Sequence, residues 1–318
     1  MNEPLISICV PAYKQPQYVV RLLNSVLKQD YKKVEIIISD DSPDEDTKQA
    51  IEPFRNKLLL SYYHNQPSLK SPRNWNNALD KANGDLLVLM HQDDWYHSPG
   101  ALSAYINAFS DDTIDFVFCQ NTAIDEKGNI VVLQAIPSLL KNLSRKPNRL
   151  VLAQVIGPPG NTMLRKTVDV RYDERFIWLV DVDYYVRLLK NGFRYRYLRQ
   201  HLVSIGLHED QTTAFCRANP HIIFKENIWF AKKLEITAFH DILVYDYYWR
   251  LLRNYGIRTI QDIEANDVRK DELPVVICHM LKYQKNISGN VLRIGLISKL
   301  SMLFSYTIWR SKGIVARE

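Results

Sequence analysis

Apolar runs and amphipathic helical stretches alternate through the first half of the chain. Residues 5–10 form a short apolar run that predicts a strand, and residues 17–28 carry apolar side chains on one helical face. Residues 34–39 and 44–54 repeat this pair, and similar segments continue to about residue 119. Near-continuous apolar strands separated by helices predict an α/β fold, with a mainly parallel sheet covered by helices on both faces.

The pattern changes in the second half of the chain. It breaks into hairpin-like pieces, with a turn predicted at residues 125–129, and from residue 221 the sequence is helical and rich in aromatic residues. We therefore predict a first domain over residues 1–215 and a helical C-terminal region over residues 216–318.

Composition narrows the class of protein. Of the 318 residues, 46% are hydrophobic and 24% are charged, which is ordinary globular usage and excludes collagen-like, low-complexity and coiled-coil chains. A net charge of +6 fits anionic partners such as nucleotides, nucleic acid or acidic membranes without choosing among them. No recognisable RNA-binding or DNA-binding motif accompanies this charge, so we expect no nucleic-acid partner.

Cysteine usage and the lack of apolar segments bear on the compartment. The four cysteines lie far apart and form no CxxC pair, so we expect buried free thiols in a reducing environment: Cys9, Cys119, Cys216 and Cys278. The N-terminus lacks the features of a secretory signal, and no uncharged apolar stretch reaches the roughly 18 residues that a membrane span needs. These features predict a cytoplasmic protein.

Polar residues collect where the predicted strands end, at the edge where such sheets bind ligands. Asp93 and Asp94 follow one strand, and two carboxylates there suit Mg²⁺ or Mn²⁺ beside a phosphate-bearing ligand. The same pair also fits a solvated turn that caps the next helix. Asp41 ends another strand and fits either a simple turn or an acceptor for a nucleobase N–H, with Tyr13 placed to stack on that base.

Two further residues have both a chemical and a structural interpretation. Asp181 begins a predicted helix, so it fits a general base beside a pocket as well as a simple helix cap. His208 fits a metal ligand or a proton carrier, although most lone histidines are neither. The common glycine-rich phosphate loops and the zinc-protease and serine-hydrolase motifs are absent, so metal and side chains would have to hold a phosphate.

Six motifs follow one another along the chain, at residues 7–13, 22–29, 35–42, 71–78, 82–94 and 181–188. Each motif is weak by itself. Together and in this order they resemble the inverting glycosyltransferases of family 2, of the type that builds bacterial surface polysaccharides. The resemblance runs from Ile6 to about Thr213 and implies the Rossmann-like GT-A fold.

The resemblance implies a role for each matching position. It implies that one group of residues contacts the nucleotide: Pro11, Tyr13, Asp41, Arg73, Asn74 and Asp93. Within this group, Asp41 would bind the imide of uracil. It implies a Mn²⁺ or Mg²⁺ site with Asp94 and His208 as ligands, and it makes Asp181 the general base.

The resemblance implies a metal-dependent inverting transferase of the hexosyltransferase type. It would move a sugar from a UDP-sugar to a hydroxyl of a saccharide acceptor, carried on a lipid, during synthesis of a surface polysaccharide such as O-antigen or capsule. A sugar nucleotidyltransferase is disfavoured, because residues 11–16 lack the glycine-rich loop that it needs after the first strand. A non-catalytic, membrane-attached assembly subunit stays open, although Asp41, Asp94 and Asp181 together favour an enzyme.

The chain departs from the family pattern at three places. Lys14 stands where Asn is usual, His91-Gln92 replaces the commoner Leu-Asp, and Val180 replaces an acid. The first change bears on donor preference, and the second removes one carboxylate from the expected surroundings of the metal.

The C-terminal tail is basic. No acidic residue lies between Glu272 and Glu318, and residues 291–309 combine apolar side chains with Arg293 and Lys299. This pattern predicts an amphipathic segment on an anionic membrane surface, which would make the protein peripheral on the inner face of the cell membrane. The pattern fits about equally well a C-terminal helix that docks its apolar face on the catalytic domain.

Overall fold

A computed structural model describes residues 3–131 and 137–311. The described chain forms nine strands: β1 (Ile6–Ala12), β2 (Val34–Asp40), β3 (Leu59–His64), β4 (Leu86–Leu89), β5 (Asp94–Tyr96), β6 (Phe116–Asp125), β7 (Ile130–Val131), β8 (Thr162–Arg165) and β9 (Tyr195–Leu207). They join in one sheet in the order β3-β2-β1-β4-β8-β6-β9-β5, and β7 pairs with β6. Strands β3, β2, β1 and β4 run parallel to one another.

The helices of the described chain are α1 (Pro16–Leu27), α2 (Asp46–Ile51), α3 (Arg73–Asp80), α4 (Ala101–Ala108), α5 (Pro137–Lys141), α6 (Val180–Lys190), α7 (Thr212–Ala218), α8 (Pro220–Lys233), α9 (Ile242–Asn254), α10 (Ile260–Glu264), α11 (Val275–Gln284), α12 (Gly289–Arg293) and α13 (Gly295–Ser311). Helix α3 packs against β1 and β2, and α1 packs against β5. The predicted α/β fold with a helical C-terminal region is confirmed.

The parallel half of the sheet is the half that the apolar pattern predicted. Strands β1, β2 and β4 are buried along their whole length, which is why they form continuous apolar runs in the sequence. Beyond β4 the sheet is mixed, because β8 lies antiparallel between β4 and β6. The turn predicted at residues 125–129 is confirmed: the Asp125 amide donates to the Asn129 carbonyl (3.1 Å), and the turn joins β6 to β7.

A buried acid fixes the start of β4. Glu35 on β2 accepts hydrogen bonds from Ser7 Oγ (2.5 Å) and from the backbone amides of Asn83 (2.6 Å) and Gly84 (3.1 Å). Burial acts to raise the pKa of Glu35, but these hydrogen bonds outweigh it and hold the pKa below its ordinary value. Gly84 has no room for a side chain, because a Cβ there would lie 2.7 Å from the Leu5 carbonyl oxygen.

The prediction of buried free thiols is confirmed for Cys9, Cys119 and Cys216 and is wrong for Cys278. Cys278 is exposed because the buried side of α11 is formed by neighbours such as Ile277. Burial raises the pKa of Cys119 and of Cys216 to about 11, so these two thiols stay protonated and unreactive at neutral pH.

The described chain divides into two compact units. The first comprises residues within 1–147 and 154–211 and holds the whole sheet, and the second comprises residues 148–153 and those from 212 onward. The assignment of catalysis to residues 1–215 stays a prediction. Among the residues described, none of the helices has the length and apolar character that crossing a membrane requires.

Helix α13, in the second unit, has one docked face and one exposed face. It packs against α9, α11 and α12, and its buried face consists of four residues: Ser298, Met302, Ser305 and Trp309. On its other side Leu296, Leu300 and Phe304 expose 72%, 58% and 61% of their surface. The tail therefore docks one face on helices of its own unit and keeps a second apolar face exposed. Its docking on the catalytic domain stays a prediction. Lys312 and Arg317 lie outside the described residues.

Candidate active site at the carboxyl ends of the strands

Loops meet at the carboxyl ends of β1, β2 and β4. The Asp41 amide, which follows β2, donates to the Ala12 carbonyl at the end of β1 (2.9 Å). The Tyr13 amide donates to Gln92 Oε1 (2.9 Å), and Gln92 Nε2 donates back to the Tyr13 carbonyl (3.0 Å). Hydrogen bonds thus tie the three loops together at the edge that the sequence predicted to bind a ligand.

The Asp41 carboxylate is buried at this edge and organises a loop. Its Oδ1 accepts hydrogen bonds from Asn65 Nδ2 (2.9 Å) and from the Leu69 amide (3.0 Å), and its Oδ2 accepts one from the Lys70 amide (2.7 Å). The carboxylate therefore shapes the loop over residues 65–70, which sequence analysis did not foresee. Its contact with a uracil imide stays a prediction.

The other residues predicted to hold a nucleotide differ in their exposure. Pro11 is buried within β1, and Asn74 is buried at the start of α3, where its Nδ2 donates to the Ser39 carbonyl (2.9 Å). Tyr13 exposes 52% of its surface, and the Arg73 side chain is 65% exposed. Tyr13 and Arg73 are therefore the members of this group whose side chains are accessible to a ligand.

Asp93 is held by two side chains that follow β9. Its Oδ2 accepts hydrogen bonds from His208 Nε2 (3.1 Å) and from Gln211 Nε2 (3.0 Å). Burial acts to raise the pKa of Asp93, but these bonds and the nearby His91 outweigh it and leave the pKa below its ordinary value. The same hydrogen bond raises the pKa of His208. Asp93 is therefore an anion at neutral pH.

Asp94 is the first residue of β5 rather than part of a turn. Its side chain is 2% exposed, and its Oδ2 has no hydrogen-bond partner. Burial, and then the charge of Asp93, raise the pKa of Asp94 well above its ordinary value. One ligand atom from each of His91, Asp93 and Asp94 lies within 4.8 Å of the others. A buried carboxylate with one unpartnered oxygen, beside a second carboxylate, fits a divalent cation, whose charge would keep both acids ionised.

Sequence analysis assigned no role to His91 or Arg21. In the sequence, His91 is noted only as a departure from the family pattern. The structure places it in the cluster with Asp93 and Asp94. Arg21 Nη2 donates to the Asp93 carbonyl (2.6 Å), and its guanidinium lies 3.9 Å from the centre of the Trp95 ring. His208 contacts the cluster through Asp93 and is not one of its three members, so its role as a metal ligand stays a prediction.

Asp181 lies in the first turn of α6, as predicted. Its Oδ2 accepts a hydrogen bond from Gln154 Nε2 (2.9 Å), and its Oδ1 accepts one from the Val182 amide (2.8 Å). Gln154 is itself fixed, because its Oε1 accepts from the amides of Ile156 (2.7 Å) and Gly157 (2.9 Å). Burial raises the pKa of Asp181, and the Gln154 hydrogen bond acts against that rise. A fixed carboxylate of this kind can serve as a general base.

An aromatic row connects the cluster with α6. The His91 ring packs on Trp75, with 4.7 Å between ring centroids. Trp75 meets Tyr172 edge-on at 5.2 Å, and Tyr172 stacks on Tyr184 of α6 at 4.1 Å. The cluster and the helix that carries Asp181 therefore belong to one packed assembly of side chains.

Comparison with known sequences identifies the family. A sequence model described as glycosyl transferase family 2 matches residues 7–173. The GalNAc(5)-diNAcBac-PP-undecaprenol beta-1,3-glucosyltransferase of Campylobacter jejuni is 27% identical over 216 residues, covering 64% of this chain and 68% of that enzyme. The poly(ribitol-phosphate) beta-N-acetylglucosaminyltransferase TarS of Staphylococcus aureus is 35% identical over 92 residues, covering 28% of this chain and 16% of that protein.

Solved structures share the fold. The S. aureus TarS 1–349 structure with UDP-GlcNAc is 18% identical, covers 96% of this chain and 80% of that chain, and has a TM-score of 0.55. The mannosyltransferase PcManGT of Pyrobaculum calidifontis, with GDP-Man and Mn²⁺, is 14% identical, covers 100% of this chain and 89% of that chain, and has a TM-score of 0.57. The family model spans more than half of the chain, and so the chain belongs to glycosyl transferase family 2 and is a nucleotide-sugar-dependent glycosyltransferase.

Proposed function

We propose that this enzyme transfers a sugar from a UDP-sugar to a saccharide hydroxyl, with inversion of configuration and with the help of Mn²⁺ or Mg²⁺. The observation that carries the proposal is the buried, unpartnered Oδ2 of Asp94 beside Asp93, at the edge where the loops after β1, β2 and β4 meet. The solved structures of TarS hold UDP or UDP-GlcNAc, which supports a uridine donor. The mannosyltransferase structure holds GDP-Man and Mn²⁺, so it supports the cation and makes GDP the competing nucleotide.

Some residues of the site would bind the sugar donor, and Asp181 would act on the acceptor. Asp93 and Asp94 would hold the cation, which supplies positive charge to the departing nucleoside diphosphate. Tyr13 and Arg73, exposed at the same edge, would contact the nucleotide. Asp181 would take the proton of the acceptor hydroxyl while that oxygen forms its bond to the anomeric carbon and the bond to the diphosphate breaks. Attack from the face opposite the diphosphate inverts the configuration in one displacement.

We propose a lipid-linked saccharide as the acceptor. The C. jejuni relative is named for a saccharide on PP-undecaprenol. A 33% identical relative in Escherichia coli, aligned over 106 residues, is named as a putative colanic acid biosynthesis glycosyl transferase. These names support a role in surface-polysaccharide synthesis for this enzyme as well.

Nucleotide binding tests the proposed donor site. Thermal unfolding would be followed with UDP, GDP, CMP or dTDP, each with and without Mn²⁺ or Mg²⁺. We expect a cation-dependent rise in Tm with UDP, and we expect Asp94→Asn to abolish the dependence on the cation. Asp80→Asn, at the exposed end of α3, is the matched control and should respond like the wild type.

The other outcomes of this experiment lead to different conclusions. Stabilisation by GDP alone would refute the uridine donor and keep the transferase. A cation-independent rise with UDP would refute the metal. No shift with any nucleotide would refute the donor site and favour the non-catalytic assembly subunit.

We also propose that the second unit binds an anionic membrane surface, on the inner face of the cell membrane. The apolar face of α13 is exposed, and residues 273–311 contain no acidic side chain. Arg293, which precedes that face in the sequence, and Arg310, which follows it, are both exposed. Exposed apolar side chains flanked by cations match the headgroup region of an anionic bilayer.

Co-sedimentation with vesicles of phosphatidylglycerol and phosphatidylcholine tests this surface. Replacing Leu296, Leu300 and Phe304 together by Ser should lower vesicle binding more than tenfold, because each buried side chain contributes about 1.5–3 kcal/mol. The paired control replaces Leu59 and Ile130 by Ser, since they are 64% and 62% exposed in the first unit. Undiminished vesicle binding by the triple variant would refute the membrane surface. If the wild type is a dimer and the triple variant a monomer, the exposed face of α13 binds a second copy of the chain instead.

A further inference from the structure

We propose that His91 supplies a nitrogen ligand to the divalent cation and thereby makes the site prefer Mn²⁺ to Mg²⁺. The inference rests on the proposed function, because it takes Asp93 and Asp94 as the seat of the cation. The family resemblance pointed to Asp94 with His208, whereas the cluster in the structure contains His91.

The imidazole of His91 lies at a separation suited to shared coordination with Asp94. Its Nδ1 is 3.9 Å from Asp94 Oδ2, which is too long for a hydrogen bond. Two ligand atoms bound at about 2.1 Å to one octahedral cation lie about 3 Å apart when adjacent and about 4.2 Å apart when opposite. The separation therefore exceeds a direct contact and falls within the range for two ligands of one ion.

Asp94 offers this space a ligand atom that lacks a partner. Its Oδ2 is buried without a hydrogen-bond partner. Burying a polar atom without a partner is unfavourable, and buried groups left in that state call for a ligand to satisfy them. A cation that binds His91 Nδ1 and Asp94 Oδ2 together gives that carboxylate oxygen a partner.

The His91 ring is fixed before any cation binds. It packs on Trp75 with 4.7 Å between ring centroids, and Trp75 in turn meets Tyr172 edge-on at 5.2 Å. A ligand held in place by packing loses less freedom on binding, which favours affinity. Packing alone also explains an aromatic side chain here, so the test must separate the two roles.

Nitrogen ligation has a consequence for the choice of metal. Imidazole is a good ligand for transition metals, whereas Mg²⁺ prefers an all-oxygen, largely hydrated shell. A site with His91 in place of a carboxylate should therefore favour Mn²⁺ over Mg²⁺ more strongly than a site with oxygen ligands alone. His208 is not among the three residues of the cluster, and its Nε2 is hydrogen-bonded to Asp93.

The experiment measures cation binding rather than activity. The full chain with saturating UDP would be titrated with Mn²⁺ alone and with Mg²⁺ alone, and the bound Mn²⁺ would be examined for magnetic coupling to a ligand ¹⁴N. His91→Leu should lose the ¹⁴N coupling and at least tenfold in Mn²⁺ affinity, with a change in Mg²⁺ affinity below threefold. His91→Asp, which offers oxygen instead, should bind cations again but with a lower ratio of Mn²⁺ to Mg²⁺ affinity. His97→Leu is the control, because His97 is exposed and bonded to Ser204 Oγ (2.9 Å).

Each outcome decides the inference. The ligand role is supported if His91→Leu loses the coupling but, without metal, unfolds at or above the wild-type temperature. A purely packing role for His91 would instead lower the thermal stability of the variant. Wild-type Mn²⁺ without ¹⁴N coupling, or a coupling kept in His91→Leu, overturns the nitrogen ligand and leaves the proposed function in place. Absence of Mn²⁺ and Mg²⁺ binding in the wild type, with UDP still bound, overturns this inference and the metal dependence together.

Discussion

Replacing Asp181 by Asn separates catalysis from binding. The amide keeps the size of the side chain and loses the ability to take a proton at neutral pH. General-base catalysis contributes about 10²–10⁴-fold, so we expect kcat to fall about 10³-fold, or about 4 kcal/mol of transition-state stabilisation. UDP affinity should stay within about threefold, because Asp181 bonds to Gln154 and Val182 rather than to the nucleotide loops.

The same substitution has a predictable effect on stability. Asn has one acceptor oxygen where Asp has two, so one of two hydrogen bonds is lost at a cost of about 1 kcal/mol. Burial raises the pKa of Asp181, so the folded protein holds the proton more tightly than the unfolded chain does. The resulting stability is present below the unfolded pKa of about 3.9 and is lost as pH rises through the folded value. The wild type should therefore lose stability relative to Asp181→Asn as the pH is raised from about 4.

Asp183→Asn is the matched control on the same helix. Asp183 is 1% exposed and accepts a hydrogen bond from Arg187 Nε (2.8 Å), so losing its charge should cost about 2 kcal/mol of stability. Transfer per folded molecule should be unchanged. Transfer is measured as UDP released in the presence of a lipid-linked saccharide, and stability is measured by urea unfolding. Transfer by Asp181→Asn within about tenfold of the wild-type rate would refute its role as the base.

Three further substitutions test the scaffold of the site. Asn65→Ala removes a donor to Asp41, so it should cost about 1–2 kcal/mol in urea unfolding and weaken UDP binding measured by calorimetry; unchanged UDP binding would separate the loop over residues 65–70 from the donor site. Glu35→Gln should lower stability by about 1–2 kcal/mol at pH 7, and the deficit should shrink as pH falls below about 4.3 through the depressed folded pKa; a deficit independent of pH would contradict the stated cause. Gly84→Ala should cost about 3 kcal/mol, since its Cβ meets backbone atoms, and an unchanged urea midpoint would show that the strand can shift.

The parallel half of the sheet could be predicted because burial on both faces leaves an apolar run in the sequence. Strands β5 and β9 leave no such signal. In the middle of β9, Arg199 and Gln200 are exposed. Strand β5 has only three residues, and they adopt strand conformation because they pair with β9. Strand formation that depends on a distant partner has no local period to detect.

The sequence motifs predicted residues of the candidate site, but not the surroundings of each residue. The order of the motifs pointed to Asp93, Asp94 and Asp181, and the structure holds the first two in one cluster. The environment of each residue was not predictable, because it comes from remote parts of the chain. Asp94 belongs to β5, which pairs with β9 more than a hundred residues away. His91 lies only three residues before Asp94, but the rings that position its side chain, Trp75 and Tyr172, come from other parts of the chain.

The link between Gln92 and Tyr13 has a consequence for how such enzymes diversify. Gln92 forms hydrogen bonds with the backbone amide and carbonyl of Tyr13, so the tyrosine side chain takes no part in this joint between the two loops. Every residue except proline offers the same two backbone groups, and position 13 can therefore change with the joint intact. An exposed position beside the site is thus free to change under natural selection without loss of the two hydrogen bonds that hold its loop to Gln92.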